Sequence, residues 1–64
     1  MDDKYPILKF FAYEHLPPAL QVISKPFHDL AHQMAATGSG HPAETATGLR
    51  KLLEAKDCFV RAGL

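Results

Sequence analysis

Chemistry in this chain has few places to come from: a stripe of polar side chains, one lysine among apolar residues, and a lone cysteine. Gln21, Lys25, His28 and His32 are spaced i, i+4, i+7 and i+11, which at about 100° per residue lines them up beside the apolar face of a helix. Such a stripe can hydrogen-bond phosphates or base edges while Tyr13 or Phe11 supplies a ring for stacking. It can equally be a solvated helix face. His28 and His32 form an H-x-x-x-H pair, and helical i,i+4 histidines bind zinc. The residues between them are Asp29-Leu30-Ala31, so the metalloprotease signature is absent. With no cysteine pair and no evident third ligand, no metal is expected. His15 and His41 flank prolines and read as turn or cap residues.

Lys56 falls between Leu49, Val60, Leu52 and Phe59 on a helical wheel. A buried ammonium is costly, so this one snorkels to the edge, pairs with a carboxylate such as Asp57, or meets an anion. Cys58 projects to the polar side, and nothing in the sequence supplies the base and thiolate-stabilising pocket that a nucleophilic cysteine needs. There is no Ser/His/Asp order and no paired-carboxylate spacing, and Gly38-Ser39-Gly40 is too short for a phosphate loop. The chain is therefore expected to bind rather than catalyse, and no cofactor is expected.

The elements that position these residues are helical. Pro17-Pro18 suits the first turn of a helix, where the missing N–H has no partner to lose. Ala19, Leu20, Ile23, Phe27, Leu30, Ala31 and Met34 then share one face, with Pro26 inside the run predicting a kink at Ser24-Lys25 or two pieces in line. This helix spans 17–37, and Gly38 is placed to cap it at the start of a turn over 38–41. Pro42 opens a second helix over 42–62. Residues 1–16, rich in aromatics, form an extended arm or a short helical turn. The fold class is all-α: one domain, a two-helix antiparallel hairpin with an N-terminal arm.

A chain of 64 residues buries a modest share of its surface and usually needs a staple. A single cysteine excludes an internal disulfide. The apolar arc of the second helix holds Ala46, Leu49, Leu52, Leu53, Ala55, Phe59, Val60 and Ala62, about twice the roughly 100° stripe that one partner helix covers. A second copy of the chain covers the excess, or the N-terminal aromatics fold back over it. The first is favoured, so a homo-oligomer is expected. Seven basic and seven acidic residues give zero net charge, against the basic excess of a DNA binder. No apolar run approaches a membrane span of roughly 20 residues, and the acidic start Met1-Asp2-Asp3-Lys4 leads into no signal-peptide core. No DNA and no membrane are expected as partners, and the expected compartment is the cytoplasm.

Two blocks carry a resemblance to a known family. One is Phe11-Ala12-Tyr13-Glu14-His15-Leu16-Pro17-Pro18; the other is the stretch from Leu49 to Ala62, a leucine, a short acidic and alanine step, then an aromatic-aliphatic run closing on Arg61-Ala62. The chain from Phe11 to Leu64 resembles the small phage-encoded helical-hairpin "sponges", the anti-CBASS and anti-Thoeris proteins that sequester cyclic nucleotide signals of bacterial immunity. The resemblance implies a homo-oligomer, often a hexamer, in the host bacterial cytosol. It binds a cyclic di- or trinucleotide or a cyclic ADP-ribose type ligand between subunits without cleaving it. It implies that Tyr13 stacks on a base and that His28, where a lysine is more usual, meets phosphate, with Lys25 one turn earlier as a substitute. Lys25, Arg50 and Lys56 from several copies then converge on the anion, Arg50 as a planar, permanently charged fork. The competing reading is a helical protein–protein interaction module without a small-molecule ligand.

Overall fold

Proline begins each of the three helices among the described residues. The computed structural model describes residues 5–37 and 40–64, and within them a 3-10 helix spans Pro6–Phe11, α1 spans Pro18–Thr37 and α2 spans Pro42–Ala62. Each proline stands in a first turn, where its fixed φ costs nothing and its lost N–H has no intrahelical acceptor. At α1 the carbonyl of Pro17 accepts from the N–H groups of Leu20 (2.9 Å) and Gln21 (3.0 Å). At α2 the His41 carbonyl accepts from the Thr45 N–H at 2.9 Å and the Thr45 hydroxyl at 3.0 Å. The all-α class holds: most of the described residues are helical, and none of them forms a strand. The expected capping glycine Gly38 and its neighbour Ser39 lie outside the described residues, as do residues 1–4.

Helix α1 runs unbroken through Pro26, so it is not two separate pieces. α2 ends at Gly63, whose N–H donates to the carbonyls of Phe59 and Val60, each at 3.1 Å. Its φ of −84° suits any residue, and an added Cβ would displace the tip of the Ile23 side chain. Phe27 and Phe59 stack with centroids 5.7 Å apart. Leu30, Met34 and Thr37 face Thr45, Gly48, Leu49 and Leu52 across a cleft. Early residues of α1 thus meet late residues of α2, and late meet early.

The N-terminal segment is part of the core. Tyr5, Leu8 and Phe11 are buried with Ala31 and Leu49, and Phe27, Leu52 and Leu53 pack against them. Their spacing of three is the period of a 3-10 helix, which brings all three side chains to one face. Phe11 is wholly buried and Leu49 nearly so, and burying each such side chain is worth roughly 1.5–3 kcal/mol. Part of the wide apolar arc of α2 is therefore covered from within the chain. The cover is incomplete: Phe59 is 57% exposed, and on α1 Leu30 and Met34, expected on the covered face, are 42% and 41% exposed. No helix among the described residues is long and apolar enough to cross a membrane.

Candidate functional site

One surface of α1 gathers most of the residues singled out by their chemistry. The Tyr13 ring meets the His28 ring edge-on at 5.0 Å between centroids, and the His28 and His32 rings lie 4.4 Å apart, tilted by 45°. One turn before His28, the Lys25 ammonium reaches the Asp29 carboxylate at 2.8 Å, while the second oxygen of that carboxylate lies 3.0 Å from Nδ1 of His28. Tyr13, Lys25, His28, Asp29 and His32 thus form one continuous patch.

The patch is placed by the turn ahead of α1. The Leu16 N–H donates to the Tyr13 carbonyl at 3.0 Å. The Gln21 amide then donates back to the carbonyls of Leu16 at 2.8 Å and Glu14 at 3.3 Å. These bonds fold the 13–16 segment onto the first turn of the helix and set Tyr13 beside His28. Gln21, which the stripe offered to a ligand, is therefore engaged with the backbone.

Asp29 sets the electrostatics of the patch. The Lys25 ammonium, and after it the His28 ring, hold the Asp29 carboxyl below its ordinary range, and the same hydrogen bond raises Lys25. Both side chains are about half exposed, so their ion pair is screened and contributes little to stability. It does fix the direction of Lys25 along the helix. Spacing alone carried this signal, since Lys25 and Asp29 are an i,i+4 pair. Asp29 was absent from the expected site residues although two of them contact it.

The other three expected residues stand apart from this patch. Phe11 belongs to the core, and with no exposed surface its ring cannot stack on a ligand; Tyr13 is the aromatic that remains. Lys56 is a structural group. It is 9% exposed, and its ammonium donates to the Phe10 carbonyl at 3.0 Å and lies 3.5 Å from Asp57 Oδ1. The lysine buried in the apolar arc is met by the Phe10 carbonyl of the 3-10 helix and by the neighbouring Asp57 carboxylate. Arg50 is exposed and lines a different cleft, of about 510 Å³, with Tyr5, Pro6, Ile7, Pro42, Ala43, Ala46 and Thr47.

A second candidate surface is apolar. The cleft of about 360 Å³ between α1 and α2 is lined by Leu30, Met34, Thr37, Thr45, Gly48, Leu49 and Leu52, and it carries no charged side chain. Cys58 is exposed, with Arg61 Nη2 at 3.4 Å from its sulfur. Among the described residues no group of three or more histidine, cysteine, aspartate or glutamate side chains is placed to hold a metal ion. No protein-family model matches the chain, and no curated protein or solved structure does.

Proposed function

We propose that this protein binds and sequesters a cyclic nucleotide signal without cleaving it, in pockets formed where copies of its helical hairpin meet. One observation carries the reading: the Tyr13 ring is held edge-on to His28 at 5.0 Å, on the same helix face as the half-exposed Lys25. An aromatic face beside a cation suits a base joined to a phosphate. The likeness of the segment around Tyr13 and of the 49–62 stretch to the phage anti-CBASS and anti-Thoeris sponges points the same way.

The patch lies along one face of a helix, whereas small-molecule sites enclose most of their ligand. A second copy is the source of the missing walls. Arg50, in its separate cleft, reaches the same ligand only from another copy. Zero net charge is no obstacle, because several chains can bring like charges together locally. Capture of this kind works by stoichiometry, each bound messenger being withdrawn from its receptor. It needs no general base, metal or activated nucleophile.

Calorimetric titration of cyclic di- and trinucleotides into the wild type and into Tyr13→Ala and Lys25→Glu, with gel filtration of each, tests this. Loss of binding with an unchanged elution profile supports the reading. Binding that survives both substitutions contradicts it. The second reading, a protein-interaction module, rests on the exposed Phe59 and the uncharged cleft between α1 and α2. It requires a stoichiometric protein partner that Phe59→Asp releases and no nucleotide affinity.

A further inference from the structure

His28 and His32 lie on one face of α1, one turn apart, with ring centroids 4.4 Å from each other. Two imidazole nitrogens held about 2.0–2.1 Å from a common ion place their ring centres roughly 4.5 Å apart at a right angle and about 5.2 Å apart at a tetrahedral angle. With the two rings tilted by 45°, the observed separation lies nearer the right-angle value. Square-planar and octahedral ions offer that angle, as copper(II) and nickel(II) do, and tetrahedral zinc does not.

The surroundings select a nitrogen. His28 Nδ1 is 3.0 Å from Asp29 Oδ1. When that nitrogen carries the proton and donates it to the carboxylate, Nε2 keeps the lone pair. This carboxylate–histidine arrangement is the one that supports metal-bound imidazoles elsewhere, fixing both tautomer and ring direction. The Tyr13 ring against His28 restrains it on another side. Lys25, the one cation in the patch, is drawn toward Asp29 at 2.8 Å.

We infer that His28 and His32 form a two-nitrogen chelate for a divalent transition metal ion, copper(II) above nickel(II) and zinc(II), with Asp29 positioning His28. The remaining coordination positions go to water or to an oxygen of a second molecule, since the described residues bring no third protein ligand to the pair. This site does not depend on nucleotide binding and is tested without it.

The test is calorimetric titration of copper(II), nickel(II) and zinc(II) into the full chain near neutral pH, with electron paramagnetic resonance of the copper form. The expected result is one copper per chain, a spectrum showing coupling to two nitrogens, and affinity falling from copper to nickel and zinc. His32→Ala should weaken copper binding by at least about tenfold and leave coupling to one nitrogen, while Asp29→Asn should weaken it by about tenfold through the lost support of His28. His32→Gln, closer in size and polarity, serves as a second variant, and far-ultraviolet circular dichroism verifies that each is helical. His15→Ala and His41→Ala should bind as the parent does. Copper affinity unchanged in both His32 variants, or uptake lost with His15 or His41 instead, overturns the inference.

Discussion

Replacing Lys56 by methionine should lower the unfolding temperature although it removes a charge from an apolar neighbourhood. Lys56 holds the 3-10 helix to α2 through its bond to the Phe10 carbonyl at 3.0 Å, and it is 9% exposed. A hydrogen bond to a charged group contributes about 1.5–3 kcal/mol, and losing it leaves that carbonyl without the ammonium. Methionine is unbranched like the lysine stem and regains part of this by apolar contact, so the net loss is about 1–2 kcal/mol. Asp57, half exposed at 3.5 Å, adds little to either side. For a domain this small, each kcal/mol moves the midpoint by about 4–8 °C, giving a fall of about 5–15 °C.

Thermal unfolding followed by far-ultraviolet circular dichroism measures it. Parent and variant are compared at one protein concentration, because association makes the midpoint concentration-dependent. Lys51→Met, at an exposed position of the same helix, is the control and should move stability by no more than about 0.5 kcal/mol. Buried charges are sometimes replaced by apolar groups with a gain in stability. A Lys56→Met midpoint at or above the parent's would place this lysine in that class and refute the tether.

Other consequences can be checked alongside. Ser24 is wholly buried and its hydroxyl has no hydrogen-bond partner among the described residues; Ser24→Ala should stabilise the fold by about 1 kcal/mol, and a destabilised variant would show that the hydroxyl is bonded in solution. Gly48 sits inside α2, where an added Cβ meets nothing within 4 Å, so Gly48→Ala should add about 0.5–1 kcal/mol in urea unfolding. A loss instead would mean that another chain packs closely on that position. The Asp29 carboxyl, lowered by its bonds to Lys25 and then His28, should titrate by NMR below its ordinary value of 3.8. Its contribution is present above the unfolded carboxyl's pKa and lost as pH falls through the folded one. The matching rise in Lys25 is a contribution present below the ordinary lysine value and lost as pH rises beyond it. A midpoint for Asp29 at or above the ordinary value would exclude the ion pair.

Local pattern carried the helices because prolines and apolar periodicity agree on them. Pro18 and Pro42 stand at first-turn positions, and the wheel placed Lys56 inside the apolar arc, where it is found. The N-terminal segment was less legible. Tyr5, Leu8 and Phe11 repeat every three residues, a 3-10 signature too short to separate from chance, and the cue for their burial lies in α2, more than thirty residues away. That is also why Phe11 read as a stacking ring. Periodicity grouped Lys25, His28 and His32 but gave no distances, and the partner that organises them, Asp29, looked like any acidic residue on a solvated face. Coverage of an apolar arc depends on tertiary contacts, so its width alone could not divide the N-terminal segment from a second chain.

Native mass spectrometry of the purified protein, alone and with cyclic di- and trinucleotides and cyclic ADP-ribose variants, decides whether the chain captures such a nucleotide. A discrete oligomer that gains ligand masses in fixed ratio to subunits and releases them unchanged on denaturation is expected. An oligomer or monomer that takes up none of these nucleotides, or one that returns them cleaved, contradicts the proposed sequestration.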